Sequence, residues 1–210
     1  MNASARGPSG RAPLPPAWLA ESDLSIEVVA AGTPLHRVHR LMHGPIFFGP
    51  SPGAPATYRF DSPSGAFGVL YVGLTLTAAV VETLLRNPAR KMVAYSEIAA
   101  RGSSVVSSER DLRLVRLHGS GLQQLGCDNA ISTGPYEPCG AWADALWTHK
   151  SAPDGIAYQS RHDSSQICLA VFERSDLRLT ASAAVALADQ LPTVARLLSA
   201  YGKSVTGSPR

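Results

Sequence analysis

The stretch from Thr57 to Pro88 constrains the fold most, because it places an acidic residue in a helix that is otherwise largely apolar. Residues Gly68 to Gly73 predict a short buried strand, in which apolar residues are bounded by two glycines. We expect Thr77 to cap a helix that Pro88 must end, since proline cannot continue a helix. Glu82 lies in the middle of that helix among alanine, valine and leucine residues. The helix is therefore predicted to be buried with a carboxylate on it.

A carboxylate in such surroundings costs several kcal/mol unless a hydrogen bond or a cation compensates for the lost water. One interpretation is structural, an ion pair with Arg86 one helical turn later, worth only about 0.3 to 0.5 kcal/mol at a surface. The other interpretation is functional. It is favoured by the polar, glycine-containing loop that begins at Arg59 and Phe60 and leads into the strand. Polar loops that precede buried elements often carry binding residues.

Composition predicts one soluble domain. The chain has 210 residues, 45% of them hydrophobic and 17% charged, which is enough for one core and short for two. The net charge of +3 is small and the basic residues are scattered, so direct binding to nucleic acid is not favoured. Three cysteines without a C-x-x-C pair indicate a reduced, cytoplasmic protein. Neither a secretory signal nor a membrane-spanning segment is predicted.

The chain divides into three predicted parts. Residues 1–23 are rich in Pro, Gly, Ala and Ser and predict a flexible tail. Residues 24–180 predict the main domain, with strands at 34–39, 92–98, 105–106, 111–117, 156–160 and 166–173 and a helix at 136–150; the last two strands form a hairpin. Residues 181–210 predict a C-terminal helical segment that packs on the domain or on a partner. Its helix is expected to run from Ala183 to Gln190 and to resume at Pro192.

Two polar features occur in and just after the predicted strand at 34–39, which follows a first extended piece at 25–29. Arg37 shares a strand face with Leu35, so it is expected to point inward and to require an anion. His36, His39 and His43 raise the possibility of a zinc site, but in a strand His36 and His39 point to opposite sides, so no metal site is predicted. The sequence contains no dinucleotide-binding, P-loop, zincin or esterase motif.

Several short motifs, taken in order, resemble the RES domain family, which is named for an arginine, a glutamate and a serine. They are Leu35-His-Arg37, Tyr58-Arg59-Phe60 with the following Asp-Ser-Pro-Ser-Gly, Leu70-Tyr71-Val-Gly with Glu82 beyond it, and Asp154-Gly-Ile-Ala-Tyr158-Gln-Ser160-Arg161. The resemblance covers about residues 35–173. One departure is clear, because Phe60 and Asp61 replace the tryptophan and asparagine of the family's R-W-N-P-x-G run.

The resemblance implies an α+β fold, with a mixed or antiparallel β core flanked by helices, like that of ADP-ribosyltransferases. It further implies that the protein is the toxin of a bacterial toxin–antitoxin pair and that this toxin consumes NAD. Carried over by motif, Glu82 and Arg37 are the expected catalytic residues, and the expected NAD-binding residues are Arg59, Tyr71, Ser160 and Tyr58. The implied partners are NAD as substrate and a cognate antitoxin, in a homodimer or a larger assembly with the antitoxin, with no metal and no membrane.

The chemistry of NAD cleavage is consistent with these residue types. Breaking the nicotinamide–ribose bond leaves positive charge on the sugar, which the carboxylate of Glu82 can stabilise. Guanidinium groups such as those of Arg37 and Arg59 match phosphate oxygens, and aromatic rings such as that of Tyr71 can hold nicotinamide. The donor pocket does not specify whether water, phosphate or a protein accepts the ADP-ribose.

Two other classes of protein remain open at this point. The first is a non-catalytic module that binds protein or nucleic acid through its basic surface and its C-terminal helix; nucleic-acid binding of that kind would depend steeply on salt. The second is a serine or cysteine hydrolase that uses Ser160 or Cys139 with His149. The second is disfavoured, because no base or helix N-terminus is placed by the local sequence to activate either nucleophile.

Overall fold

A computed structural model describes residues 10–51 and 53–208. Within them the chain forms eleven β-strands and six α-helices, preceded by a 3₁₀ helix at Ala17–Glu21. In chain order the elements are β1 (Ile26–Val29), β2 (Leu35–Arg40), β3 (Val69–Gly73), α1 (Leu76–Leu84), β4 (Met92–Ala94), α2 (Tyr95–Ala99), β5 (Arg101–Ser108), β6 (Leu112–Leu117), α3 (Ser120–Gln124), α4 (Ala130–Thr133), α5 (Glu137–Trp147), β7 (Gly155–Gln159), β8 (Ile167–Phe172), β9 (Leu179–Ala181), β10 (Val185–Ala186), α6 (Leu191–Ala200) and β11 (Ser204–Thr206).

Nine strands form one mixed sheet in the order β1-β6-β7-β8-β3-β2-β5-β10, with β9 pairing with β5 beside that path. Neighbouring strands are antiparallel except for β6 and β7, which are parallel and are joined through α3, α4 and α5. Strands β4 and β11 form a separate two-stranded parallel sheet. The prediction of a single α+β domain with a mixed β core flanked by helices is therefore confirmed.

The turn between β3 and α1 determines where Glu82 lies. A Cβ on Gly73 would come within 2.7 Å of the Ala78 Cβ and 2.9 Å of the Ala79 nitrogen, so only glycine lets the helix start so close to the strand. The Thr75 hydroxyl accepts a hydrogen bond from the Ala78 N–H at 3.0 Å and caps the helix. The predicted cap, Thr77, is wrong by two residues and lies inside α1.

Two predicted elements are also wrong. The strand predicted over residues 92–98 is β4 followed directly by α2, in which Ile98 is fully buried. The helix predicted from Ala183 to Gln190 is instead the short strand β10, whose Val185 pairs with Ser103 of β5. Pairing with β5 satisfies backbone groups that a helix there would leave exposed at the sheet edge.

The C-terminal helix is part of the core. Val194 and Leu198 of α6 are buried in an apolar cluster that also contains residues of α1, α2 and β4. The adjoining Lys203, which is 8% exposed, donates hydrogen bonds to the carbonyl oxygens of Asn87, Pro88 and Arg90. A segment anchored in this way cannot be removed without exposing that cluster.

The predicted flexible tail lies partly outside the described residues, and its described part, residues 10–23, packs on the domain. Leu19 is only 2% exposed and belongs to the largest apolar cluster. The Trp142 Nε1–H donates to the Pro13 carbonyl at 2.8 Å, and His149 Nε2 lies 3.1 Å from the Leu19 carbonyl oxygen. Two buried apolar side chains in this proline-rich segment, Ala12 and Leu19, provide the burial that its average composition does not reveal.

No helix in the described part of the chain combines the length and the apolar character needed to cross a membrane.

The packing of residues 10–23 generates a prediction. Leu19→Ala should lower the free energy of unfolding by about 2 to 5 kcal/mol, because it creates a cavity in the core. The matched control is Leu14→Ala, since Leu14 is 61% exposed and its loss should cost under about 0.5 kcal/mol. Urea denaturation of the two variants measures the difference. Equal, small effects would mean that the segment does not pack on the core.

Candidate active site

The candidate site lies where α1, the turn after β7 and the loop before β3 meet. Strand β3 pairs with β8, and β8 pairs with β7, so the end of β7 lies near the start of α1. Ser160 follows β7 directly, and Glu82 projects from the second turn of α1. The sheet therefore brings together two residues that are 78 positions apart in sequence.

The Ser160 hydroxyl donates a hydrogen bond to Glu82 Oε1 at 2.5 Å. The Ser160 Oγ itself accepts from the backbone N–H groups of His162 at 3.1 Å and Asp163 at 3.3 Å. Ser160 is 3% exposed and Glu82 is half-buried. Two backbone amides set the direction of the serine hydroxyl, which holds one oxygen of the carboxylate. The second oxygen, Glu82 Oε2, has no hydrogen-bond partner among the described residues.

The predicted alternative, an ion pair between Glu82 and Arg86, is not found within the described residues. The Arg86 Nη2 donates to the Tyr136 hydroxyl at 3.2 Å, and the guanidinium lies 5.4 Å from the centre of the Tyr58 ring. Arg86 is exposed and lies just beyond the end of α1. Its guanidinium contacts these two tyrosines and not the carboxylate. The hydroxyl of Ser160, not a cation, is therefore the partner that compensates for the partial burial of Glu82.

Asp61, which the sequence analysis did not assign to the site, organises the loop that carries the aromatic residues. Its Oδ2 accepts from the backbone N–H groups of Thr57 at 2.8 Å and Tyr58 at 2.7 Å. Its Oδ1 accepts from the Tyr71 hydroxyl at 2.9 Å, which in turn accepts from the Phe60 N–H at 2.9 Å. An aspartate whose carboxylate accepts hydrogen bonds from nearby backbone amides, here three and four residues before it, is typical of turns. The sequence therefore did contain a signal for the role of Asp61 in this loop.

Tyr58 and Tyr71 form the aromatic part of the site. Their rings meet edge to face with centroids 5.6 Å apart. Burial, together with the neighbouring Asp61 carboxylate, raises the pKa of Tyr71 well above its usual value, so its phenol stays protonated and donates to Asp61. Tyr58 is 47% exposed and leaves a ring face open to solvent. These two predicted residues are thus brought together.

Arg59 is buried and fastens the same loop to the segment before α5. Its Nη1 donates to the carbonyl oxygens of Ile131 and Gly134, each at 3.0 Å, and lies 3.4 Å from Cys139 Sγ. The guanidinium stacks over the Tyr136 ring at 4.6 Å. Its Nη2 is buried without a hydrogen-bond partner among the described residues. One nitrogen of this arginine, Nη1, is therefore committed to contacts inside the protein.

Arg37 also contacts carbonyl groups where the sequence predicted an anion. Its Nη1 donates to the Pro45 carbonyl at 2.5 Å and is 3.4 Å from the Phe47 carbonyl oxygen. Burial lowers the pKa of Arg37 to about 10, an effect that nearby Tyr58 opposes, so the guanidinium is charged at neutral pH. Arg37 thereby connects β2 to the proline-rich loop at 44–55, next to the aromatic pair.

A cavity of about 570 Å³ lies close to this pair; Glu82 and Ser160 themselves do not line it, but residues that follow each of them in the chain do. The residues that line it come from the end of α1, the loop before α5, the β7–β8 turn and the segment after α6: Leu85, Arg86, Pro88, Tyr136, Arg161, His162, Tyr201 and Lys203. The sequence analysis assigned none of these to the site. Arg161 and His162 could have been found, because they follow Ser160 directly, whereas Tyr201 and Lys203 reach the cavity only through the packing of α6.

The three histidines considered for zinc lie in different environments. His39 contacts the Ser104 hydroxyl at 3.1 Å, and His43 stacks on Phe47. The residues that the structure describes contain no group of three or more His, Cys, Asp or Glu side chains placed to hold a metal ion.

Comparisons with known proteins identify the family and support the fold. The RES domain matches residues 34–193, which is more than half of the chain. Among solved structures, a chain of the M. tuberculosis MbcT–MbcA toxin–antitoxin complex aligns with a TM-score of 0.59 and 17% identity, over 82% of this chain and 92% of that one. Comparison with curated proteins gave no match. The length of the domain match and the order of the motifs establish that this chain belongs to the RES domain family.

Proposed function

We propose that this protein is the toxin of a bacterial toxin–antitoxin pair and that it cleaves NAD at the bond between nicotinamide and ribose. The observation that carries the proposal is the Glu82 carboxylate, held by the Ser160 hydroxyl at 2.5 Å. The residues that follow Ser160, Arg161 and His162, line a cavity of about 570 Å³. A cavity of this size is typical of small-molecule sites. Membership of the RES domain family and a fold shared with a toxin–antitoxin complex both support this assignment.

In this proposal Glu82 stabilises the charge that develops on the ribose. As the glycosidic bond breaks, its electrons leave with nicotinamide, and the anomeric carbon acquires oxocarbenium character. A carboxylate fixed in advance stabilises that charge without having to reorganise. Ser160 supplies the fixing, because its hydroxyl donates to Oε1 and leaves Oε2 available to the sugar.

The aromatic residues and the two buried arginines have supporting roles in the proposal. Tyr58 and Tyr71 offer ring surfaces for nicotinamide, and the Asp61 carboxylate fixes both by hydrogen bonds. Arg37 and Arg59 hold the loops that carry these rings, since both donate to backbone carbonyl groups. Their positive charge also lies close to the entry of an anionic substrate. The second product is ADP-ribose, ADP-ribose phosphate or a modified protein, according to the acceptor.

A toxin requires a partner that suppresses it, and we propose a cognate antitoxin that covers the cavity mouth. The exposed Tyr136, Arg86 and Arg161 line the cavity, and the exposed ring of Tyr58 lies against the Arg86 guanidinium. We do not propose α6 as the antitoxin-binding surface, because its apolar residues Val194 and Leu198 are buried in the core.

Glu82→Gln tests the catalytic role. The change keeps the size of the side chain and removes its charge, so turnover of NAD should fall at least about a hundredfold, corresponding to about 2.7 to 4 kcal/mol of lost transition-state stabilisation. Free nicotinamide measured by mass spectrometry reports the rate. The control is Glu109→Gln, an exposed carboxylate between β5 and β6, which should retain parental activity. Parental turnover by a folded Glu82→Gln protein would rule out the proposed chemistry.

Ser160→Ala tests whether the hydroxyl orients Glu82. Loss of a hydrogen bond to a charged group costs about 1.5 to 3 kcal/mol, so kcat for NAD should fall by roughly ten- to a hundredfold. Ser160→Thr keeps the hydroxyl and should recover part of that loss. Ser164→Ala, an exposed serine in the same turn, is the matched control. If Ser160→Ala and Ser164→Ala turn over NAD equally fast, Ser160 has no part in orienting Glu82.

A further inference from the structure

The cavity close to Glu82 has a marked excess of positive charge. Arg86 and Arg161 contribute guanidinium groups, and none of the described residues that line the cavity is acidic. Burial lowers the pKa of His162, so its imidazole is neutral at pH 7 and adds a donor or an acceptor without charge. The permanent charge of the cavity therefore comes from arginine and lysine.

Other charged groups near the cavity already have partners inside the protein. The Lys203 ammonium donates to three backbone carbonyl groups, at Asn87, Pro88 and Arg90. The Asp163 carboxylate accepts from the Tyr201 hydroxyl at 2.5 Å and from the Ser165 hydroxyl at 2.7 Å. Neither group is available to a ligand without loss of these bonds.

Arg86 and Arg161 differ from these groups. The Arg161 guanidinium has no hydrogen bond or ion pair with the described residues, and Arg86 uses one nitrogen, Nη2, on the Tyr136 hydroxyl. Both side chains are exposed at the cavity. Two guanidinium groups with unused donors, facing a common cavity that no lining carboxylate neutralises, form a site for an anion with several oxygens.

The two arginines of this anion site follow Glu82 and Ser160 closely in the chain. Arg86 follows Glu82 by four residues, just beyond the end of α1 at Leu84, and Arg161 directly follows Ser160 in sequence. In NAD the diphosphate is separated from the scissile bond by one ribose. A sugar placed against Glu82 and Ser160 would thus extend its 5′ phosphate toward the two arginines.

We infer that Arg86 and Arg161 form the subsite that binds the diphosphate of the nucleotide substrate. The inference rests on the proposed function for the identity of the substrate, and it transfers to these two residues the phosphate contacts that the sequence suggested for Arg37 and Arg59. Neither Arg37 nor Arg59 lines the cavity, and Nη1 of each already donates to backbone carbonyl groups. Tyr136 supports the subsite, because its hydroxyl accepts from Arg86 and its ring lies beneath Arg59.

Binding of ADP tests the subsite without any turnover. Calorimetric titration should show that wild-type protein binds ADP more tightly than adenosine, and that Arg86→Gln and Arg161→Gln each weaken ADP binding by about ten- to a hundredfold. Adenosine binding should not change. Arg196→Gln, which removes an equal charge from the exposed face of α6, is the control and should bind ADP as the wild type does. Unchanged ADP affinity in both cavity variants would overturn the inference, as would wild-type protein that binds ADP no better than adenosine.

A free anion is distinguished from the nucleotide in the same experiment. Wild-type protein should bind ADP at least about tenfold more tightly than inorganic phosphate, because two phosphates can engage both arginines at once. Phosphate that binds as tightly as ADP would contradict a diphosphate subsite and indicate a site for a single phosphate.

Kinetics separate this inference from the proposed function. If NAD is cleaved, Arg86→Gln and Arg161→Gln should raise KM with little change in kcat, which is the mark of an interaction made equally before and during bond breaking. Loss of kcat alone in these variants would count against the subsite while leaving NAD cleavage intact. Conversely, arginine-dependent ADP binding by a protein that does not cleave NAD would support the subsite and refute the proposed reaction.

Discussion

The hydrogen bond from the Ser160 hydroxyl to the Glu82 carboxylate is the interaction on which the rest of the site depends. It joins α1 to the turn after β7, and it exists only because the pairing of β3 with β8 and of β8 with β7 aligns these elements. A half-buried carboxylate needs such a donor to remain ionised at low cost. Because two backbone amides fix the serine oxygen, the direction of the bond is set by the turn itself, so the carboxylate is oriented before any substrate arrives.

Arginines surround this carboxylate without neutralising it, and the structure divides them by what they contact. Arg37 and Arg59 donate to backbone carbonyl groups and fasten the loops that carry the tyrosines. Arg86 and Arg161 face the cavity with donors to spare. Direct pairing of any of these cations with Glu82 would weaken its attraction for positive charge on a sugar. Under the proposed function, this division would keep a negative centre for the ribose next to a positive region for phosphates.

The sequence predicted the parts of the fold that depend on local pattern, and it failed where tertiary packing overrides that pattern. The glycine-bounded strand β3, the hairpin of β7 with β8 and the helix α5 all follow from apolar periodicity and turn residues. The helix predicted at 183–190 became an edge strand because β5 offers unpaired backbone groups there. Likewise, Glu82 and Ser160 could be singled out from motifs, but Tyr201 and Lys203 could not, since only the packing of α6 brings them to the cavity.

The central claim is that Glu82 faces the bond to be broken, and a crystal structure tests it most directly. The protein should be crystallised with a NAD analogue whose nicotinamide–ribose bond resists cleavage. The account predicts the anomeric carbon within about 3.5 Å of a Glu82 carboxylate oxygen, the distance expected of reacting groups held in place. It also predicts a nicotinamide ring against Tyr58 or Tyr71. An analogue bound elsewhere, or bound with its adenine end at Glu82, would contradict the account.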